Sequence, residues 1–353
     1  MQIEKFRKFF PITKHTTYFN HASTGPLPIT AARAIEDVVQ KYVHWADIPI
    51  DILWGEFEGT REIIARFIGA TEDEIAFVKN TSQGILIAMN SIPWQRGDNV
   101  IVLADAFAAN LYPFYYLWPQ IEKRFLKIGD GKNFLGRLKK VANRKTKAIS
   151  IDWVNWLSGV KLDLKEIGDF CDRHNIFLIV DAIQGLGAFE INLKSLRIDF
   201  LTCGSSKWLC GPHGIGFLYV AKERLKELVP TNIGWLSAEV KTFHKLVPLG
   251  PLKKTAARFE EGTKNLMGIC GLKECIKIFQ KAGIKNIEKK VLYLTDLLIK
   301  KAQENNYEIL SPTEKNLRSG IISMHPRHID VKKTYERLIK NKIIVSLREG
   351  WLR

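Results

Sequence analysis

The stretch "IFLIVDAIQGLGAFEINLKSLRIDFLTCGSSKWLCGPHGIGFLYV", residues 176–220, decides the fold. Its apolar runs 176–181, 199–203 and 214–220 read as strands buried on both faces. The third follows the second too closely for a helical crossover, so it is expected to run antiparallel to its neighbours. Between them stands Lys207, set among small polar residues and glycines. Desolvation there disfavours the charged amine. A surface lysine in a hairpin turn is the competing reading, and the rest of the chain decides between them.

Outward from this block, short apolar runs alternate with amphipathic stretches from about residue 75 to 220. "EIAFV", "NVIVL" and "KAISID" read as further strands, and "SQGILIAMNSI" and "LDLKEIGDFCDRH" as intervening helices. This alternation predicts an α/β fold: a large domain with a mainly parallel, seven-stranded-type sheet flanked by helices. After residue 255 the pattern changes to long helices with the later strands "YEIL", "SGIISM" and "KIIVSL", which predicts a smaller α+β domain. The large domain is assigned residues 15–254, and the small one residues 1–14 and 255–353. Residues 221–255, with Pro230, Gly234, Pro248, Gly250 and Pro251, read as the crossover.

A net charge of +16 raises the question of nucleic acid. The excess sits on amphipathic helices, however. In "AGIKNIEKKVLYLTDLLIKKAQ", Ile284, Ile287, Val291, Leu294 and Leu298 recur at helical spacing and leave the lysines on the solvated face. No helix-turn-helix, zinc-finger or RNA-binding signature accompanies the charge, so no nucleic-acid partner is expected. The N-terminus lacks the apolar core of a signal peptide, and no apolar run is long enough to span a bilayer. Five cysteines form no CxxC pair and no zinc spacing. Reduced thiols, no metal and a cytoplasmic location are the expectations.

Four features of the large domain belong together chemically. In "FVKNTSQGI" a strand ends near Val78 and a helix opens with Thr81 and Ser82 at its mouth, a place suited to phosphate. Ordinary helix capping is the alternative there. Asp181 closes the most apolar strand, where ligand sites of α/β sheets lie, with Gln184 one turn on; a helix N-cap competes for this acid. Phe107, in "DAFAANLYPF", sits past another strand end and offers a face for a flat ring. Lys207 follows the next strand. An anion cradle, an aromatic platform, an acid and an amine are the requirements of pyridoxal 5′-phosphate. No GxGxxG follows an early strand, so a nicotinamide cofactor fits less well.

The sequence resembles the class V aminotransferases of the fold-type I pyridoxal-phosphate enzymes, the group that includes cysteine desulfurases and isopenicillin N epimerase-like proteins. "YFNHASTGPLP", "NTSQGI", "FAANLYP", "VNWLSGVKLDLKEIGDFC", the block from Val180 to Val220, "NIGWLS", "RFEEGTKN" and "SLREGWLR" carry the resemblance. It implies that Lys207 forms the aldimine with the cofactor and shuttles the proton. It implies that Asp181 holds the pyridine nitrogen protonated, that Gln184 touches the ring hydroxyl and that Phe107 stacks on the ring. Thr81 and Ser82, helped by Ser205 or Ser206, would bind phosphate, and Asn155 would lie in the loop facing the ring. Thr263 would reach the phosphate of a partner subunit, which implies a homodimer with shared sites. Arg353 matches the arginine that binds the substrate carboxylate, with Arg348 as the nearby structural candidate.

Three departures bear on function. Most of the family has His or Tyr where Ser206 precedes the lysine. The desulfurase loop with the nucleophilic cysteine is absent, since "LREGWLR" runs straight through and no cysteine follows Cys275. The segment that normally follows Arg353 is also missing. The expected function is therefore a pyridoxal-phosphate enzyme acting at the α-carbon of an amino acid, aminotransferase or epimerase-like. A desulfurase or selenocysteine lyase-type C–S or C–Se lyase is the alternative, and a non-catalytic fold relative a third reading.

Overall fold

The computed structural model describes residues 3–239 and 250–353, so Pro248 of the expected crossover lies outside the described residues. The strands of the first part are β1 (Thr17–Tyr18), β2 (Ile75–Val78), β3 (Asn99–Leu103), β4 (Glu122–Leu126), β5 (Thr146–Asp152), β6 (Phe177–Asp181), β7 (Phe200–Gly204) and β8 (Gly216–Val220). Five short ones follow: β9 (Tyr307–Ile309), β10 (Met324–Pro326), β11 (Ile343–Ile344), β12 (Leu347–Arg348) and β13 (Trp351–Leu352). The helices are α1 (Ile3–Arg7), α2 (Ile29–Trp45), α3 (Ile50–Ile68), α4 (Thr81–Ser91), α5 (Tyr112–Tyr116), α6 (Phe134–Val141), α7 (Leu164–Arg173), α8 (Leu266–Ala282), α9 (Ile284–Glu304) and α10 (Val331–Lys340).

Seven strands form one sheet in the order β2-β8-β7-β6-β5-β3-β4. Strands β3 to β7 are mutually parallel, whereas β8 is antiparallel to both β7 and β2, as its short connection requires. Every residue of β2, β3, β6, β7 and β8 is buried, because apolar layers cover both faces. One layer gathers Ile85 and Met89 of α4 against Val100, Val102, Phe200 and Leu218. The other packs Ile64 and Ile68 of α3, Ile167 and Phe170 of α7 and Ile269 and Leu272 of α8 against the opposite face. Strand β4 escapes the sequence reading because "EKRFL" is mostly charged and lies at the sheet edge.

The chain steps outward from β3 to β4 and then returns to the inner side of β3 as β5. That reversal parts the loops after β3 and β5 and opens a crevice at the carboxyl ends of the strands, the usual ligand position in open α/β sheets. Asp152 ends β5, Asp181 ends β6, and the Lys207 loop follows β7.

Beyond residue 300, β12, β13, β10 and β9 make a separate four-stranded sheet, and β1 pairs with β11 in parallel. The second of the expected late strands lies further along than "SGIISM" suggests, at Met324–Pro326. The hairpin β12–β13 turns through Glu349 and Gly350, both at positive φ (47° and 80°), a two-residue turn that matches strand twist.

Candidate active site

Lys207 is half-buried, its Nζ 5.2 Å from the centroid of the Phe107 ring. Burial lowers its pKa, which favours the neutral amine, while the nearby Asp181 opposes that shift and Arg353 adds to it. Phe107 is 44% exposed, and its other neighbour is Trp156, edge-on at 5.7 Å. An aromatic face this open at a strand end is free to cover a planar ligand.

Asp181 is buried, with Oδ1 accepting from Ile183 N at 2.9 Å and Oδ2 from Asn110 Nδ2 at 2.9 Å. Burial raises its pKa, opposed by those two hydrogen bonds and by Lys207. An N-cap role also fits the Ile183 contact, yet the second oxygen points to the crevice chemistry through Asn110.

At the mouth of α4, the cap is Asn80, whose side chain accepts from Gln83 N at 2.9 Å. The first-turn N–H groups of Thr81 and Ser82 therefore have no intrahelical partner and point out of the helix end. Thr81 Oγ1 accepts from Gly204 N at 2.9 Å, tying this helix end to β7 just before the lysine. The contact is close because Gly84 faces Thr202, where an added Cβ would come within 2.0 Å of Oγ1.

The two serines before Lys207 separate in role. Ser205 is buried and its hydroxyl donates to Pro212 O at 2.5 Å, a brace within the loop. Among the described residues no hydrogen bond occupies the Ser206 hydroxyl, while its carbonyl accepts from Gly25 N at 2.7 Å. Gln184 is committed at both ends: Nε2 donates to Ala22 O at 3.0 Å and Oε1 accepts from Trp208 Nε1 at 3.0 Å. Asn155 organises its own loop, donating to Asp105 O and accepting from Leu157 N and Ser158 N. Each of these amides keeps one N–H for a ligand.

Arg353 lies at the other side of Lys207. It donates to Trp156 O at 2.7 Å, Ser23 Oγ at 2.7 Å and Ser346 Oγ at 3.2 Å. Burial, with Arg348 beside it, brings its pKa down to about 10. Arg348 reaches the same Ser23 hydroxyl at 3.4 Å. Neither guanidinium has a carboxylate partner among the described residues, which leaves both free to receive an anionic group. Thr263 is exposed and is not brought into this group; its segment is held near α4 by Glu261, which meets Lys79 at 3.1 Å and Gln83 at 3.4 Å.

Two side chains of the site were not singled out from the sequence. Asn110 and Asp152 stand between Phe107 and Asp181, with Asn110 donating to both acids. Asp152 ends a buried strand just as Asp181 does, and the same positional rule reaches it. A surface cavity of about 540 Å³ lined by Phe134, Lys139, Glu166 and Leu317 contains none of these groups. Among the described residues no cluster of His, Cys, Asp or Glu could hold a metal ion, and no helix is long and apolar enough to cross a membrane.

A family model described as Aminotransferase class-V matches residues 18–350. The chain belongs to this family. A probable cysteine desulfurase of Pyrococcus abyssi is 29% identical over 357 residues, covering 97% of this chain and 86% of the relative. An uncharacterized aminotransferase of Schizosaccharomyces pombe is 28% identical over 337 residues, covering 90% and 82%. The apo cysteine desulfurase of Thermococcus onnurineus superposes with a TM-score of 0.87 at 26% identity, over 98% of this chain and 88% of that one. Pyridoxal 5′-phosphate is the cofactor of this class, and one structure of the same fold, at 21% identity and a TM-score of 0.88, carries glycine linked covalently to it. The class V residues fit that group: a half-buried amine, a buried carboxylate, an open aromatic face and a helix end with free N–H groups meet at the carboxyl ends of the strands.

Proposed function

We propose that the protein is a pyridoxal-phosphate-dependent lyase that removes a group from the β-carbon of an amino acid, with cysteine-like thiol compounds as its substrate class. The observation that carries the α-carbon chemistry is Lys207, an amine made less basic by burial and set between Phe107 and Asp181. When bound, the cofactor supplies an electron sink for the pair released at the α-carbon. Asp181 would hold a proton on the ring nitrogen, Phe107 would cover the ring, and Thr81, Ser82 and Ser206 would hold the phosphate. Arg353 and Arg348 offer the substrate carboxylate two donor forks.

The relatives named as cysteine desulfurases support sulfur substrates over the amino transfer or epimerisation that the sequence favours. The cysteines of this chain argue against a persulfide relay. All five are buried, and burial pushes each thiol up, away from the nucleophilic thiolate. The reading is therefore elimination. Lys207 takes the Cα proton, the Cβ–S bond breaks with its electron pair leaving on sulfur, and the remaining three-carbon amine is hydrolysed to pyruvate and ammonia.

Two subunits acting together belong to the same proposal. Exposed Val43, Trp45, Tyr115 and Tyr116 offer apolar surface for a second copy, which would bring Thr263 to the partner's phosphate.

The test is product analysis of the cofactor-loaded protein with L-cysteine, cystine and β-chloroalanine in deuterated water. Pyruvate and ammonia in equal amounts are expected. Oxo-acid formation only with an added amino acceptor would make the protein an aminotransferase, and exchange with inversion and no release would make it an epimerase. Protein-bound persulfide on any of the five cysteines would overturn elimination.

A further inference from the structure

Asp152 and Asp181 end neighbouring parallel strands and are direct register partners. Strands so paired lie about 4.8 Å apart, so the two carboxyl groups leave the sheet side by side. Both residues are buried, at 3% and 7% exposure. Asn110 bridges them: its side-chain amide donates one N–H to Asp152 Oδ1 and the other to Asp181 Oδ2. Asp152 also takes the backbone N–H of Phe107, so it pins the loop that presents the aromatic face. Among the described residues no cation forms an ion pair with Asp152.

Two carboxylates this close in a dry site do not both ionise, and the pair titrates as a unit. The charged and titratable groups that bear on Asp152 are Asp181 on β6, Asp105 in the loop after β3 and Lys207 after β7. Asp105 and Asp181 repel a second negative charge at Asp152. Lys207 favours one, but its attraction is shared with Asp181. Each acid accepts one backbone N–H and one amide N–H, and Asp181 has the better claim to ionise because Lys207 opposes its burial while Asp105 adds repulsion at Asp152. Asn110 Oδ1 is buried without a hydrogen-bond partner.

We propose that Asp152 is a positioning residue that holds the single proton of the pair, keeping Asp181 as the anion and fixing Asn110 and Phe107 around it. Asp152 in its neutral form accepts from Asn110 and Phe107 N as an uncharged acid, and its proton is the reason Asp181 stays the only negative charge beneath the ring. The inference deepens the functional reading, since it takes Asp181 as the carboxylate facing the cofactor. Its infrared test needs no cofactor, so it fails separately from that reading.

The experiment compares Asp152→Asn, which copies a neutral acid, with Asp152→Ala, which removes both acceptors. At neutral pH the cofactor-free wild type is expected to show a protonated-carboxyl stretch in its infrared spectrum. Asp152→Asn should lose that band. Cofactor affinity of Asp152→Asn should stay within about threefold of wild type, and the pH midpoint of the bound chromophore should not move. Asp152→Ala should bind the cofactor about tenfold or more weakly, the size of one or two lost hydrogen bonds. Absence of the band in wild type overturns the proposal, even where neither variant folds. So does a midpoint shift of about one unit or more in Asp152→Asn, which would mean that a charge was removed. Wild-type cofactor affinity in both variants would equally remove the positioning role.

Discussion

Arg353 donates to the Ser23 hydroxyl at 2.7 Å, joining the far end of the chain to the loop that lies over Lys207. The same loop meets the lysine segment through Gly25 N and Ser206 O and through Ala22 O and Gln184. Ser23 is a neutral partner, so it aims the guanidinium without neutralising it. Its charge is left uncompensated, as the proposed role in holding a substrate carboxylate requires.

Arg353→Lys tests this role. Lysine keeps the charge but loses the planar fork and the simultaneous bonds to Trp156 O and Ser23. KM for the amino-acid substrate should rise about 10- to 100-fold, the loss of one charge-assisted hydrogen bond. Cofactor affinity, followed by absorbance, should be unchanged.

Borohydride reduction of the cofactor-loaded protein should fix the cofactor's mass on the peptide containing Lys207. Mapping by mass spectrometry reads the site directly. Label on any other lysine would remove Lys207 from the centre of the chemistry.

Beneath β2, Glu260 meets Arg61 at 2.8 Å and Lys264 at 3.0 Å, and accepts from Phe77 N at 2.8 Å. Burial alone would raise its pKa, but Arg61 and Lys264 outweigh it and hold the carboxyl below its ordinary value. Glu260→Gln removes the only carboxylate partner of buried Lys264 among the described residues and leaves Arg61 only the half-exposed Glu58. We expect a loss of about 3 kcal/mol or more, read as a lower midpoint in urea unfolding.

His21 stacks on Trp208 at 5.3 Å, and burial lowers its pKa from 6.5 to about 4. The folded protein then binds fewer protons than the unfolded chain between those values. Its contribution to stability is complete above pH 6.5 and is lost as the pH falls toward about 4. Thermal midpoints measured across that window should fall more steeply for wild type than for His21→Gln.

The cofactor edge of the sheet was legible because buried parallel strands announce themselves as apolar runs, and ligand groups follow their carboxyl ends. Lys207, Asp181 and Phe107 obey that rule and meet in one crevice. Asp152 obeys it too, yet "KAISID" gives no sign that its last residue shares an amide with Asp181; only the register of β5 and β6 brings them together. Ser205 and Ser206 are alike in sequence, and the turn of the loop alone sends one hydroxyl to Pro212 O. Strand β4 stayed hidden because an edge strand needs no apolar alternation on its exposed side.

The turn at Glu349 and Gly350 has a consequence for the reaction's products. With two residues between β12 and β13, this hairpin is a stiff arm, too short to swing a side chain out of the site. On the elimination proposed above, a sulfur atom detached here would find no carrier on that arm to receive it. It would depart as a small diffusible molecule, and whatever uses it downstream would have to collect it from solution.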